Sequence, residues 1–561
     1  MEKRTIAMIP VAGRGSRMLA LTDDMPKAML PLHNKPLISW HLDKLLEEGI
    51  DEVCLVVGYK KEKIIEYVDR FYSDKMTIFY AEQKSLSGLA DAVQLGIKEI
   101  EQNLDLNDRN LLIVLGDTIV KDDLSEMISE DTDFIGYYSV EDYKRWCLIK
   151  TDRDQWVKEF IDKPDTDPKT RKAVIGVYFF TDISFLNNMI SHIISNDIRI
   201  KNEYQLSSAM EEYMKDVPIE AKEFTEWFDC GDIESFSKTR KNIARHFNSI
   251  EITEDNTIIK KSTDEKKLEK EIAWYLNIPN KLRVYVPQLI DYNAVKGDTF
   301  YELEYVNFSP IHELFLYTMP DLPDWEKLFK NIFNMIERFK LYSTKARFNT
   351  EKHLENILIA KTNERINMLL EGENKGFWEN VLKQSSIKIN GVTYKNYPLL
   401  VDDIYNFVKK QIVPTSRQYW QVIHGDLFFG NMLYDINSDT LKVIDPRGNF
   451  GIDGVYGDIR YDIAKLNHSV IGKYDFIVNG LYAITQESNK EFEYIMYDSE
   501  AKHNALETLF KEFIEKNKFN HEEINVITGL LFLSMIPLHK ENFENQKMFY
   551  FKAIEMLNKE V

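Results

Sequence analysis

TIAMIPVAGRGSR, residues 5–17, is an apolar run that ends in two closely spaced glycines among arginines. Residues 5–11 have the length and composition of a buried strand. Gly13 and Gly15 let the backbone that follows approach a ligand's oxygens closely. A strand running straight into a glycine loop is the opening of an α/β unit, and the chain downstream keeps up the alternation. Residues 37–48 read as a helix closed by Gly49, 52–57 as a strand, 62–71 as a helix, 77–80 as a strand, 90–100 as a helix and 111–115 as a strand. That order predicts an α/β fold with a doubly wound, mostly parallel mixed sheet, with ligands beyond the carboxyl ends of the strands, where the loops 12–17 and 116–118 lie. The loop lacks the third glycine of a dinucleotide fingerprint and the Gly-Lys-Ser/Thr ending of a Walker loop. Taken alone, an ordinary glycine-rich turn would account for it.

A second informative stretch is HGDLFFGN, residues 424–431, followed by IDPR at 444–447. Asp426 stands five residues before Asn431, and Asp445 follows an apolar run. Phosphoryl transfer needs this layout: one carboxylate to accept a hydroxyl proton, and an amide and a second carboxylate to hold magnesium. Upstream, residues 249–252, 256–261 and 299–306 read as strands and 265–276 as a helix; from residue 325 the pattern is mainly helical. This predicts a small strand-rich lobe followed by a large helical one. Such a site also needs a lysine on a strand and a glutamate on the next helix. Lys260 and Lys261 both end the second strand, alternation allows only one of them into the cleft, and the residues do not decide which. Glu271, ahead of Glu269, is the expected partner. The stretch YELEYV, 301–306, would present backbone groups near Glu304 and Val306 to adenine, although its alternation suits an ordinary buried strand equally well. The charged, helix-like region 233–249 closes the first part. The expected domains are therefore 1–238, a connector 239–249, and 250–561.

Composition narrows the function classes. A chain of 561 residues holds more than one domain, and 44% hydrophobic residues suffice for a core in each. The formal net charge of −20, from 91 acidic and 71 basic residues, argues against non-specific binding to nucleic acid or to anionic membranes. The cysteines, Cys54, Cys147 and Cys230, are far apart and odd in number, which disfavours disulfides and a zinc site and suits the reducing cytoplasm. No stretch is long enough to span a membrane. Self-association is left open.

Beyond residues 5–17, the segments AGRGSRM (12–18), LT (21–22), MPKAMLPLHNKPLI (25–38) and LLEEGI (45–50) resemble the nucleotidyltransferases that make nucleotide sugars and CDP-choline. The likeness continues at Ala81–Gln83 with Gly88, at Leu115–Asp117, FIDKP (160–164), IGVY (175–178), EYQL (203–206) and WFDCGD (227–232). It implies a Rossmann-like nucleotidyltransferase domain. In it the loop with Ala12, Gly13, Gly15, Ser16 and Arg17 wraps the nucleotide, and Gln83 and Gly88 line the base pocket. Asp117 and Asp229 hold Mg2+, Lys27 neutralises phosphate charge, and Lys163 meets the phosphate of the second substrate. The electrostatics agree, because a phosphate attacking a nucleoside triphosphate gathers negative charge that cations must offset. Ala20 in place of a frequent proline, and Asp162 in place of the usual glutamate, depart from the pattern without removing a catalytic charge.

His424, Asp426, Asn431 and Asp445 resemble the aminoglycoside phosphotransferase and choline kinase family, which implies a bilobal, protein-kinase-like α+β domain. Asp426 would be the catalytic base, Asn431 and Asp445 the Mg2+ ligands, and His424 a scaffold. Asp458 and Asp462, in YGDIRYDIAK (456–465), read as caps and loop anchors. For the acceptor, Tyr419, Trp420, Tyr456 and Tyr461 would suit a quaternary ammonium, although large aromatics near such motifs are more often core. Arg447, Asn449, Asp453 and Arg460 would suit a polyol or sugar. An arginine two residues after Asp445 repels a cation unless Asp453 or Asp458 pairs with it. The expectation is a bifunctional enzyme. ATP phosphorylates a small alcohol (polyol, sugar or amino alcohol) in the second half, and CTP supplies CMP to the product in the first, for a bacterial surface polymer. The alternatives are a UTP- or dTTP-dependent sugar-1-phosphate nucleotidyltransferase fused to a sugar kinase, and a choline kinase with a phosphocholine cytidylyltransferase.

Overall fold

The computed structural model describes residues 3–22, 25–32, 35–128, 132–247, 250–253, 255–318, 320–344, 349–452, 454–488, 490–498, 500–540 and 542–560. The chain divides into two compact units, Met1–Ala244 and Arg245–Val561.

The first unit is built from β1 (Arg4–Pro10), α1 (Leu37–Glu47), β2 (Glu52–Val57), α2 (Lys61–Tyr72), β3 (Thr77–Glu82), α3 (Leu89–Asn103), β4 (Arg109–Val114) and β5 (Thr118–Val120). There follow β6 (Phe134–Ser139), β7 (Cys147–Thr151), β8 (Val157–Asp162), β9 (Lys172–Phe180), α4 (Ile183–Ser195), α5 (Leu206–Tyr213), β10 (Glu220–Glu223), β11 (Trp227–Asp229) and α6 (Ile233–Phe247). Nine strands form one sheet in the order β8-β7-β9-β4-β1-β2-β3, with β6 beside β9 and β10 beside β6. β1 runs parallel to β2 and β4, whereas β9 runs antiparallel to β4, so the sheet is mixed. Alternate residues of β1 enter opposite cores: Ala7 and Ile9 pack on one face of the sheet, Ile6 and Met8 on the other. This is why the strand reads as a continuous apolar run. From β1 the chain moves first to β2 on one side and later to β4 on the other. The crevice beyond the carboxyl ends of β1 and β4 is therefore the switch point where such sheets bind ligands.

The connector expected at 239–249 falls largely on α6, and the break between units lies within that helix. Residues 248 and 249 are outside the described set.

The second unit begins with β12 (Ile250–Ile252), β13 (Thr257–Lys261), α7 (Glu265–Asn277), β14 (Leu289–Asn293) and β15 (Phe300–Glu304), whose strands form one antiparallel sheet in the order β12-β13-β15-β14. Asp264 caps α7 by accepting from the Lys267 N–H at 3.1 Å. β15 stops at Glu304, so Val306 lies in the irregular segment beyond it rather than in the strand expected over 299–306. The helical remainder includes α8 (Leu322–Lys340), α9 (Thr350–Glu355), α10 (Lys361–Leu369) and α11 (Tyr397–Phe407). After β16 (Trp420–Val422), β17 (Met432–Asp435), β18 (Thr440–Val443) and β19 (Tyr456–Asp458) come α12 (Ile459–Val470), α13 (Glu500–Lys516), α14 (His521–Met535) and α15 (Phe543–Glu560). A four-stranded sheet made from Ser386–Ile389, Val392–Lys395, Tyr482–Ser488 and Glu491–Met496 interrupts the helices. The helical reading of this region missed it, because its strands come as short polar hairpins far apart in the chain.

α12 is buried along its whole length. Its N-cap Asp458 accepts from the Arg460 N–H at 3.0 Å and pairs with the Arg460 guanidinium at 2.6 Å, both side chains being almost wholly buried. Glu523 adds a second carboxylate at 2.8 Å. Asp458→Ala leaves a buried guanidinium half-answered, and is expected to lower the stability of the second unit by about 3–5 kcal/mol, read from its urea unfolding midpoint. A loss below about 1 kcal/mol would mean that Glu523 alone suffices.

Candidate active sites

In the first unit the loop after β1 folds back over Lys27. Gly15 has φ +72°, and a Cβ there would lie 2.9 Å from Lys27 Cβ, so only glycine lets the loop and the lysine stem pack this closely. Ala12 is buried and its carbonyl accepts from the Tyr59 N–H at 3.0 Å, whereas Gly13, Ser16 and Arg17 are exposed. Lys27 Nζ donates to Asp117 Oδ2 at 2.6 Å and to the Gly231 carbonyl at 3.0 Å. Asp229 comes to the same place through β5 and β11: it stands opposite Thr118, and the Cys230 N–H donates to the Asp117 carbonyl at 2.9 Å.

The two carboxylates are driven apart in acidity. Burial works to raise Asp117, but Lys27, with Arg17 and His41, overcomes it and holds the carboxyl below its usual range. Asp229 is raised, by burial first and then by the charge of Asp117, against the donors Ser235 and Gly231. Two carboxylates at one site that disfavour each other's charge form a hard-oxygen donor pair, which suits a divalent cation completed by phosphate oxygens. Asp117 and Asp229 are thus the residues that would hold Mg2+, which would neutralise phosphate charge and ease the departure of pyrophosphate. Gln83 is buried, and its Nε2 donates to the Gly88 carbonyl at 3.2 Å and to Asp91 Oδ2 at 2.9 Å. Lys163 is exposed at φ +47°, and its N–H donates to the Trp146 carbonyl at 3.0 Å.

That bond brings Lys163 to the edge of a groove of about 610 Å³ lined by Tyr138, Arg145, Trp146, Trp227 and Asp229. Trp227 packs edge-on against Trp146 at 4.9 Å between ring centroids, and Arg145 pairs with Asp232 at 2.7 Å. The sequence reading passed over Trp146 and Arg145, which sit outside any motif; only the fold brings them beside Asp229. His41 was likewise missed. Burial lowers its imidazole to about 4, and among the described residues its Nε2 has no hydrogen-bond partner.

In the second unit Lys260, not Lys261, enters the cleft. Lys260 Nζ lies 2.9 Å from both Glu271 Oε2 and Asp445 Oδ1. Tyr301, opposite Lys260 on β15, donates to Glu271 Oε2 at 2.8 Å, which closes the pair from behind. Lys261 points outward and is exposed. Glu304 is also exposed, its N–H donating to the Gln288 carbonyl at 2.9 Å.

Asp426 accepts from Asn431 Nδ2 at 3.2 Å and from Lys465 Nζ at 2.9 Å. Burial works to raise its pKa, but Lys465 above all, then His424 and Arg447, bring it below the usual carboxylate range, so the carboxylate stays ionised. With its Nδ2 engaged by Asp426, Asn431 keeps an amide oxygen for a cation. Asp445 sits in the left-handed region at φ +57°, strain of the sort found at functional sites. Asn431 and Asp445 are an oxygen-donor pair that fits Mg2+, which would shield phosphate charge there. Lys465 stood at the end of a quoted motif without a role, because α12 must fold before it can reach Asp426. Asp462 accepts from the N–H groups of His424 and Gly425 at 2.7 Å each. Arg447 donates to Tyr461 at 3.0 Å, Asp458 is committed to Arg460, and Asp453 is outside the described residues.

Residues 6–246 match the family profile described as nucleotidyl transferase, and this part of the chain is a nucleotidyl transferase domain. It is 28% identical over 212 residues to the UTP–glucose-1-phosphate uridylyltransferase AglF of Haloferax volcanii, covering 36% of this chain and 82% of that one. A UTP–glucose-1-phosphate uridylyltransferase of Staphylococcus haemolyticus is 28% identical over 270 residues, 42% of this chain and 90% of its own. The bifunctional protein GlmU of Methanocaldococcus jannaschii is 28% identical over 226 residues, 40% of this chain and about half (51%) of its own. Among the described residues no helix is long and apolar enough to cross a membrane.

Lys260→Met is expected to lower any ATP-dependent phosphorylation by at least about 100-fold, with Lys261→Met near wild type; equal losses would contradict the assignment. A second expectation concerns acid. His424 Nε2 donates to the Ile444 carbonyl at 2.8 Å and its Nδ1 accepts from the Asp426 N–H at 3.3 Å, so the ring is neutral. Burial lowers it to about 4. The unfolded imidazole takes up its proton near pH 6.5, so stability is intact above that pH and falls as the pH drops toward 4. The loss is on the order of 3 kcal/mol. His424→Gln should flatten that part of the urea midpoint profile, and an unchanged slope would assign the acid sensitivity elsewhere.

Proposed function

We propose that the chain carries two consecutive steps. In the second unit Asp426 accepts the proton of a small alcohol as its hydroxyl attacks the γ-phosphate of ATP, with Lys260 fixed by Glu271 and with Asn431 and Asp445 on Mg2+. The resulting phosphomonoester is the acceptor of the nucleotidyl transferase domain. There the loop 12–17 and Lys27 hold a nucleoside triphosphate, Asp117 and Asp229 hold Mg2+, and Lys163 and Arg145 meet the incoming phosphate in the aromatic groove. The proposed donor is CTP, giving a CDP-activated alcohol and pyrophosphate for a bacterial surface polysaccharide. The observation that carries this reading is the presence, in one chain, of two separate lysine–carboxylate constellations: Lys27 with Asp117, and Lys260 with Glu271 and Asp445. The second of these stands beside a carboxylate suited to deprotonating a hydroxyl.

A second reading takes UTP or dTTP and a sugar 1-phosphate; the uridylyltransferases among the relatives favour it. Both readings are tested by supplying ATP, Mg2+, an alcohol panel and each of CTP, UTP and dTTP, and weighing the nucleotide product. Asp426→Ala should abolish ADP formation while sparing nucleotidyl transfer to a pre-phosphorylated acceptor, and Asp117→Ala should do the reverse. Loss of both activities in either variant would overturn the two-step reading, and a UDP or dTDP product would replace the CTP assignment.

A further inference from the structure

The cations of this unit's candidate site fall in two groups. Lys260 is answered by Glu271 and Asp445. The other group has, among the described residues, no carboxylate except Asp426 itself. Lys465, 8% exposed, reaches Asp426 from α12. One turn earlier on the same helix, buried Tyr461 accepts from Arg447 Nη1 at 3.0 Å, and the guanidinium lies 5.6 Å from the Tyr461 ring and 6.0 Å from that of Phe450. Among the described residues Arg447 forms no ion pair, and Asp458, the nearby carboxylate that could have balanced it, is held by Arg460. Lys361, the first residue of α10, adds a third positive charge to the field of Arg447 and Lys465. The Tyr461 phenol pulls its ammonium up, but burial and the charges of Arg447, Arg365 and Lys465 prevail and hold it below its usual range. Tyr461 shows the same field from the other side. Burial would raise its phenol, yet Arg447, Lys361 and Lys465 bring it below its usual range.

The set is fixed in place. The Arg447 N–H donates to the His424 carbonyl at 2.9 Å. The next residue, Gly448, has φ +66° and lies so close to α7 that a Cβ would come within 2.0 Å of the Lys270 carbonyl oxygen. Lys361 follows a π-helical turn, Asn356–Ala360, an irregularity that recurs at functional sites. Arg447 on the Tyr461 hydroxyl and Lys465 on Asp426, with the charge of Lys361 added, repel one another in a partly dry setting. An anion that completes the set removes that cost. The phosphates of ATP are already met by Lys260 and the metal-holding residues.

We propose, resting on the kinase reading above, that the acceptor is an anionic alcohol. Its carboxylate or phosphate sits among Lys361, Arg447 and Lys465, and this directs its hydroxyl to Asp426. The hydroxyl oxygen attacks the γ-phosphorus, the bond to the β-bridging oxygen breaks, ADP leaves, and the hydroxyl proton passes to Asp426.

The test uses the full chain with ATP and Mg2+ at constant ionic strength. The acceptors are four small molecules: glycerol, ethanolamine, glycerate and glycerol phosphate. Either glycerate or glycerol phosphate should be phosphorylated with a kcat/KM at least about 100-fold above the uncharged and cationic members, and which of the two wins names the anion. Lys361→Gln and Arg447→Gln should each raise the KM for that acceptor about tenfold while leaving the KM for ATP within about twofold. Thermal unfolding decides the matter if none of the four is turned over. Glycerate or glycerol phosphate should raise the Tm of the wild type, glycerol should not, and the Lys361→Gln/Arg447→Gln double variant should not respond. Preference for glycerol or ethanolamine, a Tm response no larger for the anions than for glycerol, or one that persists in the double variant overturns the proposal. If Asp426→Ala forms ADP at the wild-type rate, the kinase reading itself fails instead.

Discussion

The Asp462 carboxylate is fully buried and accepts the N–H groups of His424 and Gly425, and the 424–431 loop of the second unit depends on it. A buried carboxylate is costly unless donors surround it. Here burial pushes it up to about 7, with the two N–H groups and Lys465 working in the opposite direction. The arrangement ties the start of the 424–431 loop to α12. Because α12 also delivers Tyr461 and Lys465, one helix sets both the position of Asp426 and its charge. Asp458 and Arg460 anchor that helix by a second buried pairing.

The first unit meets a similar problem by different means. Its site is assembled across a sheet, from a loop after β1, a turn after β4 and a two-stranded ribbon that carries Asp229. Lys27 joins these parts, since it touches both Asp117 and the backbone at Gly231. Its charge lowers Asp117 and leaves Asp229 as the carboxylate that a cation would relieve. In each unit a lysine is held in place by carboxylate: Lys27 by Asp117, and Lys260 by Glu271 and Asp445.

Much of this was legible in the sequence because local rules carry it. The β1 run, with side chains in two cores, can hardly be other than a central strand. The helices expected at 37–48, 62–71 and 90–100 follow from period and turn residues, and their observed limits differ by a few residues at most, whereas Ile183–Ser195 and Leu206–Tyr213 were not read from the sequence. The four-stranded sheet of the second unit was not legible, because its two short hairpins pair with each other between residues about 100 positions apart, as Lys388 does with Glu491. Val306 was placed in a strand that ends at Glu304, since apolar alternation continues past the last ladder bond.

Local chemistry was readable residue by residue: the glycine loop, the Asp426–Asn431 spacing and the lysines ending β13 are all set by the order of side chains along the chain. Those depend on backbone propensity and spacing, which act over a few residues. Only the tertiary structure decided between Lys260 and Lys261, because that choice turns on which face of β13 meets Glu271 and Tyr301. The fold likewise brought Trp146 beside Asp229, Arg447 to the Tyr461 hydroxyl and Lys465 to Asp426. Electrostatic fields act through space between residues far apart in the chain, and spacing along the sequence carries no record of those distances.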